Sequence, residues 1–156
     1  MRAFLILLFT LGLFAPVHAA DSPTGGKVVK VLSFWLDQQG RIAKSPSLFD
    51  RDAYQFYLLN HTNEISAQRF DVEWSAAKNL GTNLTLRAEL RGVGDAGVPR
   101  LKTLEAPVAP AGHFFGDWTS LTLGGDDLKK FGSVVAWHVT LWNGSQLLGE
   151  QKSFLW

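Results

Sequence analysis

The fold is decided by the C-terminal stretch Val134-Val-Ala-Trp-His-Val-Thr-Leu-Trp142, followed by Asn143-Gly144 and then by residues Gln146 to Trp156. An Asn-Gly pair between two apolar runs is the strongest short-range signal for a β-hairpin, because these residues tolerate the positive φ angles of a tight turn. We therefore predict two antiparallel strands at this end of the chain.

The register of this hairpin stays open at the level of sequence. A two-residue loop pairs Leu141 with Gln146, whereas a three-residue loop with a bulge pairs Leu141 with Ser145. Since successive side chains of a strand point to opposite faces, the two alternatives expose opposite faces of the second strand.

Upstream of the hairpin, further segments have strand character, at residues 28–36, 69–75, 84–91, 98–105 and 114–123. Residues 28–36 are apolar on both faces, which predicts a strand that is covered on both sides or crosses between sheets. From Arg69 onward apolar residues occupy every second position, as in half-buried strands. The acidic outer face of 69–75 and the arginines of 84–91 predict that these two strands pair in a hairpin.

Residues 47–60 have a helical rather than a strand pattern. Ser47 with Asp50 three positions later is a capping-box-like start. On a helical wheel, one side carries Leu48, Phe49, Ala53, Phe56 and Leu59, and the other carries Arg51, Gln55 and Leu58. We expect the first side to face a sheet, because an apolar stripe normally packs against the core.

About seven strands and one helix after the first strand, without strand–helix alternation, predict an antiparallel β-sandwich of immunoglobulin-like or fibronectin-like architecture. We assign residues 27–156 to this single domain. A chain of this length buries enough surface for a stable core without disulfides.

The first 20 residues have the layout of a secretory signal peptide. Arg2 precedes an apolar run that Pro16 ends, and Val17 and Ala19 are the small residues before a cleavage site after Ala19. The run is shorter than the roughly 20 residues that cross a bilayer, so we expect no stable membrane insertion after cleavage. Residues 21–26 form a flexible lead-in. Export without cysteine favours a bacterial periplasmic or secreted protein.

The composition excludes several classes of function. The absence of cysteine excludes disulfides, thiolate metal sites and thiol nucleophiles. Without Arg2, the chain has 14 basic and 14 acidic side chains, which argues against a nucleic-acid partner. The segment Gly92-Val-Gly-Asp-Ala-Gly97 matches a dinucleotide-binding pattern, but Val98-Pro99 follows where a helix should begin. We predict no cofactor, and the histidines lack the spacing of a metal site.

Four residues stand out as candidate site residues. Trp142, beside the tight turn, and Trp156, at the end of the sequence, are hard to bury, and His138 shares a strand face with Trp142. Exposed indoles stack on sugars or anchor a protein partner, although they can also simply close the ends of a sandwich. Asp52 lies at the edge of the helix's apolar stripe, where a buried acid needs an ion-pair partner such as Arg41 or Arg69, or a backbone amide.

These observations predict an exported, non-enzymatic binding or interaction module of the bacterial cell envelope, with an unknown protein or glycan partner. The alternative is a carbohydrate-binding module that uses exposed tryptophans. A small hydrolase using scattered carboxylates such as Asp52 is the third reading, since the sequence contains no recognisable catalytic motif.

Overall fold

A computed structural model describes residues 25–80, 83–94, 97–111 and 116–156. The predicted signal peptide, most of the lead-in and the beginning of the strand predicted at 114–123 lie outside the described residues. The strands are β1 (Gly26–Asp37), β2 (Ile65–Ala76), β3 (Leu84–Val93), β4 (Pro99–Val108), β5 (Asp117–Gly124), β6 (Ser133–Asn143) and β7 (Gln146–Lys152). The helices are α1 (Leu48–Asn60) and α2 (Gly125–Phe131).

The strands form two antiparallel sheets in a sandwich-like arrangement. One sheet has three strands in the order β1-β2-β5, and the other has four in the order β4-β3-β6-β7. The described chain is therefore mainly β, as the alternating pattern predicts. The helix predicted after the first strand is present as α1, and the short α2 follows β5.

The core lies between the inner faces of the two sheets. It takes alternate residues from β2 (Phe70, Val72, Trp74), β3 (Leu84, Leu86, Ala88, Leu90) and β6 (Val139, Leu141). The buried indole of Trp74 donates from Nε1 to Thr119 Oγ1 at 2.9 Å. Its only polar group is thereby satisfied inside the core.

The predicted hairpin between the second and third strands is wrong, because β2 and β3 lie in different sheets. The charges that suggested it find partners elsewhere. Asp71 pairs with Arg69 on its own strand at 2.8 Å, and Arg87 pairs with Glu105 on β4 at 2.6 Å. Charge complementarity between two strands thus did not identify the neighbouring strand.

The hairpin of β6 and β7 is confirmed, but neither predicted register is correct. Asn143 pairs with Gln146 around a turn in which Gly144 has φ +56°. A shift between Leu141 and Trp142 then places Leu141 opposite Gly149. The additional residue lies on β7 and is Leu148, which packs in the core together with Leu141.

Strand β1 changes its covered face along its length. A register shift between Val28 and Lys30 interrupts its alternation, and Val28 and Val31 contact the main core. Further on, Phe34 and Leu36 are buried outside that core cluster, on the part of the strand where α1 packs. Coverage on both sides explains why residues 28–36 carry apolar side chains on both faces of the strand.

The beginning of β1 passes very close to β7. An edge strand of the three-stranded sheet thus lies against an edge strand of the four-stranded sheet. A Cβ atom at Gly149 would lie 2.7 Å from Lys27 Cα and 3.0 Å from Val28 N, both of them backbone atoms. Only glycine allows this approach.

Within the described residues, α1 and α2 are both too short and too polar to cross a bilayer.

Candidate functional site

Helix α1 leaves its most apolar side in solvent. Its buried residues are Tyr54 and Leu58. The opposite side exposes Phe49 by 81%, Phe56 by 69%, Leu48 by 68% and Leu59 by 52%. The sequence correctly groups these four residues on one side of the helix, but the prediction that this side faces the sheet is wrong. We call Leu48, Phe49, Phe56 and Leu59 the outer face of α1.

A glutamine on the inner side fixes this orientation. The Trp35 N–H donates to Gln55 Oε1 at 2.7 Å, and Gln55 Nε2 donates to the carbonyls of Trp35 and Ile42, each at 2.9 Å. Strand β1 is at the edge of its sheet, so the free backbone groups of Trp35 have no strand neighbour. The side-chain amide of Gln55 takes the place of that neighbour, because it offers the same donor and acceptor.

A buried carboxylate provides a second anchor for the helix. Asp37 Oδ2 accepts from the Tyr54 hydroxyl and from Arg41 Nε, both at 2.8 Å, and Oδ1 accepts from the backbone N–H groups of Gln39 and Arg41, both at 2.9 Å. Burial raises the pKa of Asp37, but the hydrogen bonds from Arg41, Tyr54 and Gln39 outweigh that effect and hold the pKa at about 2. The cluster ties α1 and the loop after β1 to the end of that strand.

These polar contacts use the side of α1 that points toward β1. The Arg51 guanidinium adds a cation–π contact at 5.1 Å from the Phe34 ring. Turning the outer face toward the sheet would break all of them and leave buried donors and acceptors without partners. The exposure of the outer face therefore follows from the hydrogen-bonding needs of the strand edge.

An open groove continues the outer face of α1 toward α2. Its volume is about 570 Å³, and Leu59 belongs to both the groove and the outer face. The other lining residues are Trp35, Gln38, Thr62, Asn63, Ile65, Leu128, Lys129, Gly132 and Ser133. Since Trp35, Ile65 and Leu128 are only partly buried, the groove extends the apolar surface beyond the end of the helix.

Asp52 is not a buried acid, which corrects the prediction from the wheel. Its side chain is 71% exposed, and it pairs with Arg51 at 3.0 Å rather than with Arg41 or Arg69. The physical reason is the orientation of α1, because the stripe that carries Asp52 faces solvent. The carboxylate is held by a neighbouring arginine of the same helix.

The other three candidate residues come together on the outer face of the four-stranded sheet. His138 and Trp142 point outward from β6, where they pair with Glu89 and Thr85 of β3. Trp156 follows the end of β7, and its ring centroid lies 5.2 Å from that of His138. The structure thus places Trp142, Trp156 and His138 on one surface, while their role in binding stays a prediction.

Arginines cover part of both indoles. The guanidinium of Arg91 lies 3.9 Å from the centroid of a Trp156 ring, and that of Arg87 lies 5.5 Å from a Trp142 ring. Trp142 Nε1 also donates to Thr140 Oγ1 at 2.8 Å. One face of each ring is therefore already used within the molecule.

His138 connects two carboxylates across the sheet. Its Nδ1 lies 3.3 Å from Glu89 Oε2, and its Nε2 lies 2.8 Å from Glu150 Oε2. Both ring nitrogens are thus engaged by protein groups. Among the described residues, no group of three or more histidine, aspartate or glutamate side chains is arranged to hold a metal ion.

A second cavity, of about 480 Å³, lies beside the start of α1 and is lined by three arginines. Each arginine is held by one aspartate, in the pairs Arg41–Asp37, Arg51–Asp52 and Arg69–Asp71, at 2.8, 3.0 and 2.8 Å. The positive charge of the cavity is therefore matched by its own carboxylates, and the outer face of α1 is the stronger candidate for a binding surface.

Comparison of the sequence with protein-family models, with curated proteins and with solved structures gives no significant match. The functional argument therefore rests on the geometry of the chain itself.

Proposed function

We propose that this protein is a non-enzymatic binding module that engages a protein partner through the outer face of α1. The observation that carries the proposal is the exposure of Phe49, Phe56, Leu48 and Leu59 on a single helix face. An aromatic side chain alone offers about 150–250 Å² of surface. Two phenylalanines and two leucines that are more than half exposed therefore form an apolar patch on the order of 500 Å², the size at which patches on soluble proteins are commonly functional.

The environment of the patch supports a protein rather than a glycan partner. An apolar helix face beside an apolar groove suits side chains inserted by another protein. The tryptophans that the sequence suggests for carbohydrate binding are Trp142 and Trp156, and each has one ring face occupied by a guanidinium group. We therefore place carbohydrate binding second.

The finer fold assignment belongs to the same proposal. In constant-type immunoglobulin sandwiches the first, second, fourth and fifth strands share one sheet, and the third, sixth and seventh share the other. The observed orders β1-β2-β5 and β4-β3-β6-β7 support that architecture for six strands, while the fourth strand, β4, lies beside β3 in the other sheet. We propose an immunoglobulin-like or fibronectin-like sandwich in which α1 is an insertion between the first two strands.

We also propose that the module works outside the cytoplasm, in the periplasm or beyond, of a bacterial cell. The support is the sequence of residues 1–20 and the absence of cysteine. The partner is then a protein of the cell envelope.

Site-specific photo-crosslinking tests the proposal. A benzophenone analogue of phenylalanine replaces Phe56, and in a control protein it replaces Leu101, which is 79% exposed on β4 and far from α1 in the sheet order. Ultraviolet irradiation of cells of the native host should link one reproducible protein to position 56 and not to position 101. The intact mass of the recovered protein also shows whether the chain was cleaved after Ala19.

A capture pattern that is the same at both positions, or the absence of any crosslinked partner at position 56, contradicts the proposal. If crosslinking of a partner instead depends on Trp142 or Trp156, the binding surface is the outer face of the four-stranded sheet.

A further inference from the structure

We infer that the partner docks on α1 with an apolar segment that carries a cationic side chain, arginine or lysine, opposite Asp52. This inference rests on the proposed function and specifies the chemistry of the partner. It is drawn from the position of one carboxylate within the outer face of α1.

Asp52 lies within the apolar stripe rather than beside it. In a helix, residues three and four positions apart are surface neighbours. Leu48 and Phe49 lie four and three positions before Asp52, and Phe56 lies four positions after it. All three of these neighbours are exposed by more than two thirds. A segment that covers the stripe therefore also covers the carboxylate.

Covering Asp52 favours a charged donor from the partner, because charge-assisted hydrogen bonds to a carboxylate are the strongest. Its present ion pair with Arg51 is solvent-exposed, and such pairs contribute little. Arg51 donates from Nε and Nη2 to the same oxygen, Oδ1, at 3.1 and 3.0 Å. In the described part of the chain no donor reaches Oδ2. Removing this oxygen from water without a new donor is costly, so a docked partner must supply one.

The remaining charges near the outer face are few. Asp50 is exposed and accepts a hydrogen bond from the Ser45 hydroxyl at 2.5 Å, and Lys129 lines the groove at the other end. Asp50 lies two positions before Asp52 and therefore on a different side of α1. Asp52 is therefore the acidic side chain of α1 that a segment on the outer face covers.

The same carboxylate disfavours a second copy of this chain as the occupant. Residues 48–59 have their midpoint next to Asp52, so a two-fold antiparallel pairing of two such faces brings two Asp52 side chains into one apolar interface. Burying like charges together is unfavourable.

The length of the surface sets the size of the probe. Phe49 to Leu59 covers about 15 Å along the helix axis, since each residue rises about 1.5 Å, and the groove continues from Leu59. A 16-residue peptide covers this distance either as a helix or as an extended chain. Phage display of random 16-residue peptides on the purified protein therefore samples the required segments without knowledge of the native partner.

We expect peptides selected on the wild-type protein to combine large apolar residues with arginine or lysine. Their affinity for the Asp52→Arg variant should fall by about thirtyfold or more, the effect of losing a buried ion-pair partner. The matched control is Asp126→Arg on α2, where the side chain is 84% exposed, and it should change the affinity by less than about twofold. Replacement of the cation in the peptide by glutamate should restore binding to Asp52→Arg.

The outcomes separate this inference from the proposed function. Peptides that require Phe49 and Phe56 but contain no cation and tolerate Asp52→Arg overturn the inference and leave the apolar docking surface in place. Peptides that still bind a Phe49→Ser/Phe56→Ser double variant contradict both. If sedimentation shows that the wild-type protein is a dimer and that the same double variant is a monomer, the outer face binds a second copy of this chain, and the inference is overturned.

Discussion

Asp37 shows how single residues hold α1 in place. The residue is 2% exposed, and its carboxylate accepts hydrogen bonds from Tyr54, Gln39 and Arg41. The sequence does not predict a structural role for Asp37, because an aspartate followed by Gln-Gln-Gly is typical of an ordinary turn. Its role depends on a tyrosine 17 positions later, on an element whose orientation the sequence does not determine.

Replacing Asp37 by asparagine should destabilise the protein by about 2–4 kcal/mol at neutral pH, because the donors of Arg41 and Tyr54 lose a charged acceptor. The pKa of Asp37 is about 2 in the folded protein, below the ordinary value of 3.8. The stabilisation is therefore present above pH 4 and lost as the pH falls from about 4 toward 2. Urea unfolding of both proteins between pH 7 and pH 2.5 should show the difference shrinking across that range.

Asp126→Asn is the control for the loss of one carboxylate, since this side chain is 84% exposed, and it should stay within about 0.5 kcal/mol of wild type. A difference between Asp37→Asn and wild type that stays constant down to pH 2.5 would show that ionisation of Asp37 is not its source.

At the scale of elements, the sequence predicts where α1 lies but not how it faces. The period of the apolar residues and the Ser47 cap identify the helix, because both signals are local. Its orientation depends on the free edge of β1, which needs the amide of Gln55, and this need is not encoded within the helix. The candidate surface was therefore visible as an apolar stripe and was misassigned to the core. The prediction that Asp52 is buried is wrong for the same reason, because it assumed that this stripe packs against the core.

Two substitutions on opposite sides of α1 distinguish the observed orientation from the predicted one. Leu58→Ala should cost about 2–5 kcal/mol, because Leu58 is fully buried. Phe56→Ser should change stability by less than about 0.5 kcal/mol, because Phe56 is mostly exposed. Thermal unfolding measures the stability of both variants. A larger loss of stability for Phe56→Ser than for Leu58→Ala would show that the outer face of α1 is buried, as the sequence predicted.

At the scale of the whole molecule, the sequence predicts where the strands lie but not which strands pair with one another. Alternation over a few residues locates each strand, and every described strand overlaps a predicted one. Pairing depends on residues far apart in sequence, so the separation of β2 and β3 into different sheets was missed. The bulge that sets the register of β6 and β7 is likewise a response to the core, not to the Asn-Gly turn.

The close approach of β1 and β7 makes a prediction about the sandwich as a unit. Gly149→Ala should destabilise it by about 1–3 kcal/mol, because the added Cβ lies 2.7 Å from Lys27 Cα and forces the two strands apart. Gln146→Ala, at the exposed start of the same strand, is the control. Chemical unfolding should rank the two variants in that order, and an unchanged Gly149→Ala protein would contradict the close packing of these strands.

The glutamine that stands in for a missing strand also acts as a safeguard against aggregation. When α1 detaches, the edge of β1 around Trp35 loses its cover and becomes a template for another molecule's strand. Because acid protonates Asp37 and weakens its hydrogen bonds to α1, we expect acid to expose this strand edge before the sheets unfold. A bound partner, by holding α1 down, would then act on this protein as a chaperone does.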